Sequence, residues 1–203
     1  MPVITLYEKW RIWLSRALLI PLAILFIFSK VGWEETSIVS TILFLVGCIL
    51  VGIGTLGRLW CTLYIAGYKD NTLVTEGPYS LCRHPLYFFS FVAGAGVGCA
   101  TETLLVPLVV IIAFSLYYPA VIRSEESRML QIHGDEARRY MKSTPAFIPR
   151  FSNFKEPEQY LANPRIFRKN LFDALWFIWI VGLLELVEGL HEAGILPTFC
   201  TLY

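Results

Sequence analysis

Arg83, His84, Glu125 and Glu126 are the residues whose types and placement call for a chemical explanation. Arg83 and His84 stand directly before Pro85 in the stretch GPYSLCRHPLYF (77–88), at the threshold of an apolar run. Pro85 suits the first turn of a helix, where its missing N–H costs nothing, and it keeps His84 extended. His84 is therefore expected just ahead of a helix N-terminus, where unpaired backbone N–H groups collect. Such a place can hold a polar or carboxylated ligand at a membrane surface. The plainer reading makes Arg83 and His84 interfacial anchors. Glu125 and Glu126 emerge from the following apolar run in RSEES (123–127). A helix C-terminus is the negative end of its dipole, so acids there cost stability unless Arg123, Arg83 or a cationic ligand balances them.

The elements that position these residues are membrane helices. Of 203 residues 56% are hydrophobic and 16% charged, against about a quarter charged in a soluble domain, and mean hydropathy is +0.58. A net charge of +1 gives no footing for nucleic acid. Cys48, Cys61, Cys82, Cys99 and Cys200 lack CxxC or metal-like spacing and read as small apolar side chains, so no metal site is expected from them. A span needs roughly 20 apolar residues, which places spans at 12–29, 37–62, 85–101, 103–122 and 171–190. The fold class is thus an all-α integral membrane protein of about five helices in one domain, 1–203. Its parts are N-terminal spans in 1–67, a motif-bearing core in 68–150, and a linker and last helix in 151–203. The first span has the outline of a signal peptide, with Lys9, Arg11 and Arg16 ahead of it, but FSKVGWEE offers no cleavage site. Thr101–Thr103 joins the third and fourth spans into a tight hairpin, and Gly94, Gly96 and Gly98 make one side of the third span slim. Arg58, with Trp60, Tyr64 and Tyr68, is expected to mark an interface at the end of the second span.

Basic residues set the sidedness. Lys9, Arg11, Arg16, Lys69, Arg83 and the ten from Arg123 to Lys169 lie on one side, and Lys30 lies on the other. The positive-inside rule puts the N-terminus and both polar segments in the cytoplasm, and the C-terminus outside. The two polar segments can then build one site. Met129, Leu130, Ile132, Ala137, Tyr140 and Met141 give the stretch to Lys142 an amphipathic pattern that would lie on the membrane or the bundle. Arg128, Arg138 and Arg139 would meet lipid headgroups. In the last span Glu185, Glu188, His191 and Glu192 form an acidic stripe. It reads either as a solvated continuation beyond Glu185 or as a metal or substrate patch.

NTLVTEGPYSLCRHPLY (71–87), followed by RSEESRMLQIHG (123–134) and PAFIP (145–149), resembles the isoprenylcysteine carboxyl methyltransferase family, within a wider group that includes phospholipid methyltransferases. The resemblance implies an S-adenosyl-L-methionine-dependent enzyme with a cytoplasmic cofactor pocket beneath the hairpin. It assigns cofactor contact to Asn71, Thr72, Leu73, Val74, Tyr79, His84, Pro85, Leu86, Tyr87 and Glu125. The chain departs from the family pattern at Asn71 and at His133 and Ala137, where histidine, phenylalanine and tyrosine are usual. Val121 stands where prenylcysteine enzymes carry an arginine for the substrate carboxylate, and Arg123 is the nearest replacement.

A sulfonium donor brings its own leaving group, so such a protein has mainly to align the reactants and exclude water. Glu125 would meet the cofactor's amino group, with Glu126 nearby, while Arg83 or Arg123 would orient an anionic acceptor. The acceptor is lipophilic and enters from the bilayer past side chains such as Phe88, Phe89 and Phe91, unless these simply pack. Phospholipid amine N-methylation, a nicotinamide-dependent membrane reductase and a non-catalytic adaptor are the rival readings. The acidic pair speaks against a 2′-phosphorylated nicotinamide cofactor, which calls for a basic cluster.

Overall fold

The computed structural model describes residues 29–31, 38–66, 68 and 72–202. The first expected span, up to residue 28, and Asn71 lie outside these residues. Helix dominates: α1 (Ile38–Ile65), the single turn α2 (Pro78–Leu81), α3 (Pro85–Ala100), α4 (Leu105–Ser143) and α5 (Pro164–Glu192), with a 3-10 turn at Phe151–Asn153. Beyond the all-helical expectation, strands β1 (Ser29–Val31) and β2 (Cys200–Leu202) pair in parallel, Ser29 opposite Cys200. The pairing brings residues 29–31 and the segment after α5 to one end of the molecule.

Three of the described helices are long and apolar enough to cross a membrane: α1 with 28 residues, α4 with 39 and α5 with 29. The protein is therefore a multi-pass membrane protein. The stretch expected to span at 85–101 is the 16-residue α3, which rises about 24 Å against a hydrocarbon core of about 30 Å. None of its residues is exposed, and it packs on α1, α4 and α5. α3 is thus largely covered by longer helices, with no residue fully exposed.

Close approach of backbones builds this centre. A Cβ on Gly54 of α1 would fall 2.5 Å from the Ala93 Cβ and 2.6 Å from the Ala93 nitrogen of α3. One on Gly96 would fall 2.7 Å from the Val51 nitrogen of α1, and one on Gly98 would fall 2.7 Å from the Pro107 Cα of α4. The glycines of α3 therefore thin two faces, one toward each neighbour, rather than the single side expected. At the hairpin Thr101 Oγ1 donates to the Gly98 carbonyl at 2.7 Å and lies 3.0 Å from Thr103 Oγ1, both hydroxyls being buried.

α4 continues from the apolar run to Ser143, in keeping with the amphipathic pattern that extends to Lys142. It keeps Pro119 inside, as membrane helices tolerate, and breaks only at Gly134 (φ 51, ψ −119). Glu125 and Glu126 therefore sit within a continuous helix and not at its negative end.

Gly54→Val should cost at least the upper end of the ~1–3 kcal/mol typical of overpacking, because the clash is with backbone. Gly52, whose Cβ position is open, supplies the control. Thermal unfolding in detergent should show a large loss for Gly54→Val and little change for Gly52→Val.

Candidate functional site

The entrance to α3 is built by a turn and a strap. Gly77 (φ 58, ψ −130) starts α2 in a conformation open to glycine, and any Cβ there would strike the ring of Tyr64. Ser80 Oγ donates to the Gly77 carbonyl at 2.6 Å and accepts from the Lys155 N–H at 3.0 Å. The chain after α4 then runs beside the Arg-His-Pro segment. Arg83 N–H donates to the Pro145 carbonyl at 2.9 Å, His84 N–H to the Ala146 carbonyl at 3.1 Å, and Arg150 N–H to the Leu81 carbonyl at 2.9 Å. PAFIP is thus the backbone partner of CRHP, which explains why the two motif pieces occur together. Tyr140 OH adds a bond to the Tyr79 carbonyl at 2.6 Å. Aromatic contacts lay the rest of the strap over the end of α1, with Tyr64 and Tyr160 ring centroids 4.2 Å apart and Trp60 and Phe154 6.0 Å apart.

The side chains converge on two carboxylates. Arg83 donates through Nε at 2.8 Å and Nη2 at 2.6 Å to Glu126 Oε1, and through Nη1 to the carbonyls of Met141 at 2.8 Å and Thr144 at 2.5 Å. His84 is 5% exposed, with Nδ1 3.4 Å from Glu125 Oε2 and Nε2 3.5 Å from Glu126 Oε1. Its Nε2 is buried and makes no hydrogen bond. Tyr87 OH donates to Glu125 Oε1. The Tyr87 ring lies parallel to His84 at 5.7 Å and meets Tyr118 edge-on at 4.9 Å. Glu126 is 21% exposed and Glu125 45%, so Glu125 forms the open rim. The two carboxylates thus lie on either side of the His84 ring, with Arg83 on Glu126 and Tyr87 on Glu125.

Burial pushes the neighbouring Cys82 thiol up to about 12 and holds the Tyr79 phenol well above its ordinary value. Both remain protonated at neutral pH, so neither is an activated nucleophile.

The expected site residues divide clearly. His84, Tyr87, Glu125, Glu126 and Arg83 meet, and Tyr79 lies within electrostatic reach of Glu125. Pro85 is buried at the start of α3, and the Leu86 carbonyl accepts from Ser90. Thr72 is exposed, with Leu73 and Val74 half-buried, on the segment leading to Gly77. Arg123 is exposed, and its carbonyl accepts from Ser127 Oγ. Phe88 and Phe91 pack on Phe147 and Phe91 on Phe114, while Phe89 faces Gly57. In the acidic stripe Glu185 and Glu192 are exposed and Glu188 is half-buried. Among the described residues no three His, Cys, Asp or Glu side chains are grouped to hold a metal ion.

Arg58 breaks the pattern read from sequence. Instead of marking an interface it turns inward, donating to Ser90 Oγ of α3 with its guanidinium 5.4 Å from the Phe177 ring of α5. The signal was present: a lone arginine inside the apolar helix Ile38–Ile65.

Residues 37–131 match the isoprenylcysteine carboxyl methyltransferase (ICMT) family. The chain is 41% identical over 201 residues to the nickel-cobalt-cadmium resistance protein NccN of Alcaligenes xylosoxydans xylosoxydans, covering 99% of this chain and 93% of that protein. It is 43% identical over 176 residues to the cobalt-zinc-cadmium resistance protein CzcN of Cupriavidus metallidurans, covering 87% of this chain and 81% of that protein. A protein-S-isoprenylcysteine O-methyltransferase of Schizosaccharomyces pombe is 35% identical over 85 residues, which is 40% of this chain and 34% of that protein. No solved structure matches the chain.

Alkaline pH should expose the buried thiol. Above its ordinary value of 9.0 Cys82 ionises in the unfolded chain, while the folded chain keeps the proton to about 12. The folded state then binds more protons, and stability falls as pH rises through that window. Thermal midpoints measured from pH 8 to 11 should drop, and Cys82→Ala should remove part of the slope, the remainder belonging to groups such as Tyr79.

Proposed function

The chain belongs to the isoprenylcysteine carboxyl methyltransferase family, and on that premise we propose that it transfers a methyl group from S-adenosylmethionine to a lipophilic acceptor within the membrane. The observation that carries this reading is the half-exposed carboxylate of Glu125, held by Tyr87 and His84 beside Glu126. The residues fit the cofactor. The buried Nε2 of His84 has no hydrogen bond, and the Glu125 rim suits an ammonium or sulfonium group. When bound, S-adenosylmethionine supplies a methyl group on a sulfonium leaving group.

The roles of the chain's own residues follow from their places. Glu125 offsets the ligand's positive charge, and Tyr87 fixes the direction of that carboxylate. His84 sets the spacing of the two glutamates, and Arg83 holds Glu126 in place through two donors. Arg83 is thus a positioning residue, its donors being turned toward Glu126 and the end of α4. The family resemblance gives the remaining cofactor contacts to Asn71, Thr72, Leu73, Val74, Tyr79, Pro85 and Leu86. No general base is needed for an ionised carboxylate acceptor, whereas an amine must arrive neutral. Basic residues from Arg123 to Lys169 support a cytoplasmic face for this cluster.

Two relatives are named for resistance to nickel, cobalt, zinc and cadmium. Since the described residues gather no donor set for such an ion, we connect this chain to metal tolerance through methylation of its acceptor rather than through metal held by the chain.

Calorimetry of S-adenosylmethionine on detergent-purified protein tests the assignment. Micromolar binding is expected in the wild type, with at least about a tenfold loss in Glu125→Gln and His84→Ala, as removal of a charge-assisted contact implies. Binding of a nicotinamide cofactor in place of S-adenosylmethionine would overturn the methyltransferase reading in favour of a reductase.

A further inference from the structure

The first turns of α5 carry a surface that the family match, residues 37–131, does not reach. Asn163 caps the helix, its side-chain oxygen accepting from the N–H groups of Arg165 and Ile166 at 3.0 and 3.3 Å. The Asn163 N–H donates to the Ala66 carbonyl at 3.2 Å, so the start of α5 and the end of α1 lie at one level of the bundle. Arg165, Arg168 and Lys169 follow at spacings of three and four, which puts them on one side of the helix. All three are exposed, and among the described residues none of them enters an ion pair. Asp173, the acid one turn further on, lies within electrostatic reach of Arg58.

Beyond the basic residues the same side turns apolar. Phe172, Trp176 and Trp179 continue the spacing and are 66%, 59% and 62% exposed. From Lys169 to Trp179 the helix rises about 15 Å at ~1.5 Å per residue, half of a hydrocarbon core of about 30 Å. One helix face therefore offers cations at the height of the headgroups and large apolar rings through the depth of one leaflet. Protein covers little of α5, whose buried residue is Ala174 among those described. An occupant of this face must bring negative charge at one end and apolar length below it. The sequence ahead of the first expected span is itself net basic, with Lys9, Arg11 and Arg16 against Glu8, and supplies no such charge. A second copy of the same face would set cation against cation.

We propose that this face binds an anionic phospholipid of the surrounding bilayer, its phosphate held by Arg165, Arg168 and Lys169 and its acyl chains laid along Phe172, Trp176 and Trp179. The arginine fork matches phosphate oxygens, and basic residues at the end of a span attract anionic headgroups. The chemistry is recognition alone, with no bond or proton exchanged. The lipid is a fixed neighbour and not a methyl acceptor, so the inference stands apart from the methyltransferase reading. By covering the outer side of α5 it holds in place the helix whose Phe177 lies beside Arg58.

Photolabelling of the full chain in phosphatidylcholine nanodiscs tests it, with trace phosphatidylglycerol or trace phosphatidylcholine carrying a diazirine in the acyl chain. Peptide mass spectrometry should find more label on residues 172–179 from phosphatidylglycerol than from phosphatidylcholine. The expected ratio is at least about fivefold, the factor that one basic residue near an anionic headgroup supplies. Arg165→Gln, Arg168→Gln and Lys169→Gln combined should bring the two lipids level. Arg138→Gln with Arg139→Gln, exposed near the end of α4, should leave the ratio as it is. Equal labelling in wild type means contact without headgroup recognition and overturns the proposal. Absence of label overturns it too, since a protein partner or another segment of the chain then covers the face, and so does a ratio that survives the triple substitution. Should the triple variant fail to fold, wild type at high salt decides. Exposed charges are screened there, so the ratio should fall, and an unchanged ratio overturns the site.

Discussion

The guanidinium of Arg83 is the contact on which the site depends. Its planar fork reaches Glu126 through two donors and the last carbonyls of α4, at Met141 and Thr144, through the third. A lysine has no such geometry, because a compact ammonium cannot serve a carboxylate and two carbonyls in one plane. The same group therefore neutralises an acid within the helix and caps the end of that helix, where cations are favoured. Breaking it would leave Glu126 in partial burial without its cation, and two helix carbonyls without a donor.

Around that contact the backbone settles the direction of His84. Its N–H is given to Ala146, and its carbonyl receives the N–H groups of Tyr87 and Phe88 at 3.1 Å each. The imidazole is thus free of any capping duty and lies between the two glutamates. Pro85 contributes by holding the preceding residue extended, and the strap 144–155 turns that preference into one fixed conformation. Chain segments some sixty residues apart become a single structural unit by backbone hydrogen bonds, reinforced by the side chains of Arg83, Tyr140 and Ser80.

The motif residues were legible because their chemistry is local. A proline after Arg-His announces a helix start, and paired glutamates beside an apolar run announce an unpaid charge, so the meeting of His84, Glu125 and Glu126 could be anticipated. The sequence pattern carries the helix on to Lys142, but not the depth of its residues. Nothing between Pro119 and Gly134 stops a helix, so the acids lie within α4, and their balance comes from Arg83 and not from a dipole end. Length alone could not place α3: sixteen apolar residues make a short helix, and only its packing on α1, α4 and α5 shows that no residue of it is fully exposed. Spacing on a helix also hid that Gly96 and Gly98 face different neighbours. Arg58 was assigned to the interface because arginine usually is there, and only the packing of α1 on α3 and α5 turns it inward.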